Sequence, residues 1–508
     1  MTDVSSNNKR IAKNTVALYI RMLVIIAISL YTSRVVLATL GVSDFGIYNV
    51  VGGVVILFSF LKSSMASTTQ RFLNVELGKG DETSATRVFS MGINCQFIII
   101  GLFLFLAETI GLWYMNTYIK IPEGRMVAAQ WVYQISVLTA CFNIYYAPYN
   151  GAIIAYERMG VYAYVSIIEA VLKLGIVYLL TIGNIDKLIL YGLLTLGVTI
   201  ITSAIYIFYC LRNFKICNYH RIWDKGLFRY MMNFSGWSIF GNVANLGISQ
   251  GLQLVQNFFF GVTMNAAMGV ATQVNGAITR FLGGFTTAFN PQITKSWAAG
   301  DTDYFFSLVY RTTRFAFFMM FIMALPIFLC CAEIMDIWLE VVPEHAVSFC
   351  RLMIIYSLID SVCMSLAAAV GAHGDIKKYQ IGLSIFKLLV IPLSIVGLVL
   401  GAAPEYVLLV NIVMNIVTYI FRLFYLRKRV YLHIWDFMKK ALFPCLEVAL
   451  IAIPLPVLVY NLMNGYLGAV ATILVAVISS GLSALFIGMT RAERTRVLSF
   501  VSNKLKRQ

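Results

Sequence analysis

Long apolar segments separated by short polar connections run along most of the chain. An α-helix needs about 20 residues to cross a bilayer core. Hydropathy and polar breaks give fourteen segments of this kind, numbered here as spans 1–14: 14–38, 45–69, 88–112, 127–150, 161–182, 187–210, 230–258, 264–289, 305–331, 347–370, 379–401, 404–426, 439–460 and 465–488. The pattern predicts an all-α polytopic membrane protein with about 14 transmembrane helices.

The composition agrees with this class. Of 508 residues, 60% are hydrophobic and only 12% are charged, and a soluble protein of this size could not bury so much apolar surface. The net charge of +16 would also suit nucleic-acid binding. The basic residues, however, form short clusters between apolar spans, so no nucleic-acid partner is expected.

The positive charges predict the orientation of the chain. With the N-terminus in the cytoplasm, 30 of the 39 Lys and Arg residues lie on the cytoplasmic side, five on the opposite side and four within spans. This is the distribution that the positive-inside rule requires. We therefore expect an even number of spans with both termini cytoplasmic. Lys9, Arg10 and Lys13 precede an apolar run that is too long for a signal peptide, which predicts a retained first helix.

An internal repeat divides the chain. Two short motifs recur 220 positions apart and two single residues recur 214 positions apart: Gly41-Val42-Ser43 with Gly261-Val262-Thr263, Gly80-Asp81 with Gly300-Asp301, Gly160 with Gly374, and Lys173 with Lys387. Six spans separate the copies, so both halves enter the membrane in the same sense, as a parallel pseudo-two-fold repeat. We predict an N-terminal lobe at 1–215, a C-terminal lobe at 216–430, and two additional helices with a basic tail at 431–508.

Several spans carry cations on otherwise small and polar faces. Arg280 lies in span 8 on a face with Gln273, Lys62 lies in span 2, and Arg21 lies in span 1. An arginine facing lipid costs about 2.5–3.5 kcal/mol on insertion scales. We interpret these residues as lining a cationic cavity that binds an anionic group. The alternative is that they pack the two halves together, and Arg21 could also extend to the inner membrane surface.

Span 7 carries a stripe of amides and hydroxyls at helical spacing, and its candidate cavity residues are Asn242, Asn245, Ser249 and Gln253. Such groups need partners or water inside a membrane. They would either hydrogen-bond sugar hydroxyls of a cargo or pack helices together. Glu169 and Lys173 are four residues apart in span 5 and are interpreted as satisfying each other. Lys387 is given a similar structural role, with a position facing the same groove as the alternative.

Motifs for catalysis are missing. The chain has no G-x-x-x-x-G-K-[ST] sequence for a nucleotide-hydrolysing P-loop, and its four histidines are scattered over loops. The nine cysteines show no metal-ligand spacing. We therefore expect no catalytic residues, no metal and no cofactor, and a protein that is not an enzyme.

Three segments resemble the polysaccharide-biosynthesis flippases, the O-antigen and capsule repeat-unit translocases of the multidrug/oligosaccharidyl-lipid/polysaccharide exporter superfamily. These segments are SRVVLATLGVSDFGIYNVVGGVV (33–55), RFLNVELGKGD (71–81) and AYERMGVYAYVSIIEAVLK (155–173). The resemblance implies a MATE-like V-shaped fold of two six-helix bundles plus two C-terminal helices. Basic residues on helices 1, 2 and 8 line the cavity of related lipid II flippases, and Arg21, Lys62 and Arg280 lie on the matching helices. We place Arg34, near the outer end of helix 1, as an interfacial or gating contact.

The resemblance also implies the cargo and the location. It predicts that an undecaprenyl-pyrophosphate-linked oligosaccharide is moved across the bacterial cytoplasmic membrane by alternating access, with membrane lipids and polysaccharide polymerase or assembly proteins as further partners. One alternative is a multidrug or cation antiporter of the same superfamily. Those exporters use membrane-embedded acids, and spans 1, 2, 7 and 8 contain none. A second alternative, a membrane glycosyltransferase or polymerase, would need a large catalytic loop.

Overall fold

The computed structural model describes residues 59–495, apart from 119–120, 122–123, 181–185, 261, 340–341 and 464, together with scattered positions between 21 and 51. This part of the chain is helical and contains no β-strand. The predicted all-α fold is therefore confirmed.

The described chain from Ser59 onward contains nineteen α-helices, α1 to α19 in chain order: Ser59–Lys79, Glu82–Leu106, Leu112–Tyr118, Met126–Tyr145, Ala147–Ala155, Met159–Leu179, Lys187–Asn213, Lys225–Phe260, Val262–Ala298, Thr302–Leu329, Cys331–Trp338, Ala346–His373, Lys377–Leu388, Val390–Val399, Tyr406–Val430, Ile434–Phe437, Phe443–Ala452, Pro454–Leu462 and Gly465–Ser483. Short π-helical turns at Ala107–Gly111, Met438–Leu442 and Ala484–Gly488 and a 3₁₀ turn at Lys215–Cys217 join or extend them.

The repeated Gly-Asp motif starts a helix in each half. Gly80 and Gly300 have φ of +78° and +74°, a left-handed conformation that glycine adopts without strain. The next residue then caps the new helix. Asp81 accepts a hydrogen bond from the Ser84 amide at the start of α2, and Asp301 accepts one from the Tyr304 amide at the start of α10. The repeat therefore marks two equivalent helix starts.

Ten helical segments of the described chain are long and apolar enough to cross a membrane. They coincide with predicted spans 3–6 and 9–14. Spans 7 and 8 correspond to α8 and α9, which have 36 and 37 residues. These two helices are long enough, but their polar stripes lower their hydropathy. Most of span 1 and much of the first half of span 2 fall on residues outside the described part.

The chain separates into two compact units. Unit 1 consists of 1–242 with 297–300, and unit 2 consists of 243–296 with 301–508. In unit 1, the fully buried Tyr133 of α4 donates a hydrogen bond to the Ala107 carbonyl. In unit 2, one apolar cluster joins α9, α10 and α12 around Ile278, Ala324 and Ile354. The predicted division at 1–215, 216–430 and 431–508 remains a prediction.

Candidate functional site

Unit 2 contains an amide-lined cavity of about 200 Å³. Helices α8, α9, α12 and α15 and the junction of α13 with α14 form its wall. Its ionisable and amide side chains are Asn245, Gln253, Asn275, Lys387, Asn411 and Asn415, with Ser249, Thr272 and Tyr356 beside them. We call it the unit-2 cavity.

Lys387 is the ammonium group of the unit-2 cavity. Its Nζ donates a 2.7 Å hydrogen bond to Asn245 Oδ1. It forms no ion pair with a described carboxylate, although Asp360 on α12 and the buried Arg422 on α15 both act on it electrostatically. Arg422 Nη1 donates to the Cys363 carbonyl at 3.4 Å. In the described part of unit 2, the cations Lys387 and Arg422 and the carboxylate Asp360 therefore interact electrostatically.

Two other amides of the unit-2 cavity are held by hydrogen bonds to residues of α12. Asn275 Oδ1 accepts a 2.6 Å hydrogen bond from Ser357 Oγ. Asn415 Nδ2 donates to the Tyr356 carbonyl at 3.4 Å. Asn415 Oδ1 in turn accepts a 3.4 Å hydrogen bond from Thr418 Oγ1. Asn415 is therefore held at both ends, whereas the Asn275 amide nitrogen is available to whatever occupies the cavity.

Unit 1 has a second cavity, of about 380 Å³, which we call the unit-1 cavity. Lys173 and Glu169 line it and form the predicted ion pair, with Lys173 Nζ 2.6 Å from Glu169 Oε1. Arg21 also lines it, and its guanidinium stacks over the Tyr162 ring at 4.4 Å from the centroid. Arg21 Nη2 also donates to the Tyr162 hydroxyl at 3.3 Å.

The two cavities are lined by equivalent positions of the repeat. Pairs 220 positions apart line them from three predicted spans of each half: Ile25 with Asn245, Ile28 with Ile248, Thr32 with Leu252, Tyr48 with Met268, Tyr191 with Asn411, and Thr195 with Asn415. Lys173 with Lys387 and Ile176 with Val390 are 214 apart. Each half of the chain therefore builds one lysine-bearing cavity.

The structure brings together three of the predicted site residues. Asn245, Ser249 and Gln253 line the unit-2 cavity, whereas Arg21 lines the unit-1 cavity. Asn242 belongs to unit 1, where its Nδ2 donates a 2.8 Å hydrogen bond to Ser64 Oγ.

The remaining predicted residues lie elsewhere. Arg280 and Gln273 are exposed on α9 and do not line the unit-2 cavity. No carboxylate of the described residues pairs with Arg280 within 4.0 Å. The Lys62 side chain on α1 and the whole of Arg34 lie outside the described residues.

Sequence reasoning missed Asn275, Asn411 and Asn415 as cavity residues and did not include Lys387 among the predicted site residues. A signal was present for two of them. Asn411 and Asn415 are four residues apart in an otherwise apolar span, so they share a helix face, as the amides of span 7 do.

No family model and no curated protein matches the sequence. Solved structures do match. An outward-facing multidrug resistance MATE family transporter of the MOP superfamily is 13% identical, with a TM-score of 0.74 over 84% of this chain and 96% of that chain. The fold is that of the MATE transporters. A MATE in the straight conformation is 14% identical, with a TM-score of 0.72 over 84% of this chain and 96% of that chain.

A third MATE-like structure is a MOP superfamily transporter from Pyrococcus furiosus, whose reverse polarity of the binding pocket is described as suggesting a different function. It is 13% identical, with a TM-score of 0.71 over 82% of this chain and 96% of that chain. Together with the ten apolar helices, the MATE fold makes this chain a multi-pass membrane protein.

Proposed function

We propose that this protein translocates a polyprenyl-pyrophosphate-linked oligosaccharide across the bacterial cytoplasmic membrane for surface-polysaccharide assembly. Both termini would lie in the cytoplasm. The lipid-linked cargo would move by alternating access through a cationic interior, without chemical change.

Arg280 carries this proposal. It lies near the middle of the 37-residue α9, is exposed, and has no carboxylate partner among the described residues. A guanidinium at mid-membrane depth must face a polar space rather than lipid. An unpaired guanidinium there attracts an anion, and its planar donors match the oxygens of a pyrophosphate.

The charge of unit 2 supports the same cargo. Lys387 hydrogen-bonds the Asn245 amide and Arg422 the Cys363 carbonyl, and neither forms an ion pair with a carboxylate of the described residues. The description of the Pyrococcus furiosus transporter treats pocket polarity as a clue to function within this fold. A cationic interior favours an anionic lipid carrier over a cationic drug.

Replacing Arg280 tests the proposal. Arg280→Ala should abolish surface-glycan export and leave lipid-linked repeat units on the inner leaflet, because the anionic head group loses its main counter-charge. Arg280→Lys should retain part of the export, since the charge remains without the planar fork. Export is measured by surface-glycan staining in a strain whose own copy is deleted.

Arg427→Ala is the matched control, because Arg427 is an exposed arginine in the last turn of α15. It should export normally. Normal export by Arg280→Ala, at wild-type protein levels in the membrane, would remove Arg280 from the mechanism and contradict the proposal.

Multidrug export is the second candidate, favoured by the description of the matched MATE structure as a multidrug resistance transporter. It predicts that deletion raises sensitivity to cationic drugs while the surface glycan stays intact. The flippase proposal predicts the opposite pair of results.

A further inference from the structure

We propose that the unit-2 cavity is a binding site for a singly charged phosphate group, with Lys387 as its counter-ion. The group would come either from free phosphate or from a lipid head group. The site is separate from Arg280, and the inference does not depend on which molecule the protein transports.

The charge balance of the cavity is the first argument. In the described part of the chain, the Lys387 ammonium lines the cavity, hydrogen-bonds the neutral Asn245 amide and forms no ion pair with a carboxylate. The buried Arg422 nearby donates to the Cys363 carbonyl. An ammonium without a carboxylate partner in a low-dielectric interior is costly, and one bound negative charge offsets that cost. The lysine therefore favours a monoanion over a cation.

The hydrogen bonds of Lys387 are the second argument. An ammonium has three donors, and in the described part of the chain the Lys387 ammonium uses one of them, toward Asn245. The other two donors are available to a ligand or to water. Asn411 and Gln253 line the same space and supply amide N–H donors from other directions. An oxyanion, whose several oxygens accept bonds from different directions, matches donors arranged in this way better than chloride does.

The size of the cavity is the third argument. One water molecule needs about 10–15 Å³ of such volume, and the cavity offers about 200 Å³. The space is therefore more than tenfold larger than a single water requires. It accommodates a tetrahedral phosphate group with water around it.

The unit-1 cavity, which Arg21 also lines, shows the equivalent lysine with a counter-ion of its own. There, the equivalent lysine, Lys173, already has a carboxylate partner 2.6 Å away in Glu169. The residue 214 positions after Glu169 is Leu383, which is buried and apolar. The repeat thus keeps the lysine in both halves and supplies an internal counter-ion in unit 1, whereas in unit 2 the lysine hydrogen-bonds a neutral amide.

Equilibrium binding of labelled inorganic phosphate to the purified full-length protein tests the inference. Lys387→Met and Lys387→Gln should each weaken binding by at least about tenfold, because the charge-assisted hydrogen bonds are lost. Lys387→Gln keeps a donor toward Asn245, so it is the variant that changes the charge with the least disturbance of packing. Lys387→Arg should retain binding.

Lys173→Met is the matched control, because it removes the equivalent lysine of unit 1, which already has a carboxylate partner 2.6 Å away in Glu169, and it should leave phosphate binding unchanged. Octyl phosphate in detergent provides the second arm. Binding of inorganic phosphate identifies a site for free phosphate, and binding of octyl phosphate alone identifies a lipid head group.

Three results would overturn the inference. They are equal binding by Lys387→Gln and wild type, no binding of either probe, and equal competition by chloride at the same concentration. Glycan export is a separate readout, so failure here leaves the transport proposal to be judged by Arg280.

Discussion

Gly397 shows how closely the helices beside the unit-2 cavity approach each other. It lies on α14, and a Cβ built at this position would fall 1.9 Å from Cε1 of Tyr406, the first residue of α15. The neighbouring Leu398 and Val407 are buried in the same apolar cluster. Small residues allow helix backbones to approach closely within membranes, and here Gly397 lets α14 pack directly against the start of α15.

Gly397→Ala should destabilise the protein by about 1–3 kcal/mol, because the added methyl group must displace an aromatic ring from a packed position. Thermal unfolding of the detergent-purified protein measures the effect. Gly247→Ala is the control, because a Cβ at Gly247 has no other atom within 4 Å, and alanine is the better helix former. Equal melting temperatures for Gly397→Ala and Gly247→Ala would show that α14 and α15 are not packed as described.

At the scale of elements, each unit joins two helix starts through a carboxylate that hydrogen-bonds a basic side chain. In unit 1, Arg125 at the start of α4 pairs with Asp186, which caps α7, and its Nε also donates to Asp44 at 2.9 Å. In unit 2, His345 at the start of α12 pairs with Glu405 at the start of α15. Arg125 and His345 are 220 positions apart, so the two pairs occupy equivalent places in the repeat.

The pair in unit 2 makes its stability depend on pH. Burial alone would raise the pKa of Glu405, but hydrogen bonds from His345, whose Nδ1 lies 2.5 Å from Oε1, and from Ser348 Oγ at 2.8 Å outweigh burial and lower the pKa below its ordinary 4.5. A lowered carboxylate pKa stabilises the fold at pH values above the unfolded-state pKa, and this contribution is lost as the pH falls through the folded-state pKa. Glu405→Gln should therefore lower the melting temperature at pH 7 and have progressively less effect below about pH 4.

Melting curves of wild type and Glu405→Gln between pH 3 and pH 7 check this expectation. Glu344→Gln is the control, since Glu344 is well exposed and lies 3.8 Å from His345 Nε2. It should change the melting temperature little at any pH. A difference for Glu405→Gln that is the same at both ends of the pH range would show that its charge is not what stabilises the contact.

The helices could be predicted from the sequence, whereas the cavity could be predicted only in part. Hydrophobic length locates a span without any knowledge of its neighbours. The partners of a polar stripe depend on tertiary packing. Asn242 and Asn245 are three residues apart on α8, yet Asn242 bonds Ser64 within unit 1 and Asn245 bonds Lys387 within unit 2. Helical spacing places both on one face and does not specify where one unit ends and the other begins.

At the scale of the whole molecule, the last two spans pack as part of unit 2. Phe318 and Phe321 of α10 form an apolar cluster with Cys445 and Val448 of α17 and Ala476 of α19. The C-terminal helices therefore contribute core packing to this unit.

A buried ion pair adds to this attachment. Arg314 Nη2 on α10 lies 2.7 Å from Glu493 Oε1, with side-chain exposures of 10% and 14%. Removing one partner of a buried pair leaves an uncompensated charge and costs about 3–5 kcal/mol, whereas replacing both partners by apolar residues can be nearly neutral. Glu493→Leu should therefore lower the melting temperature strongly, and the double variant Arg314→Leu/Glu493→Leu should recover much of the loss. Asp436→Leu, which removes a carboxylate from the well exposed pair with Lys440, is the control and should have a small effect. If the double variant were less stable than Glu493→Leu, the pair would not be what holds residue 493 against α10.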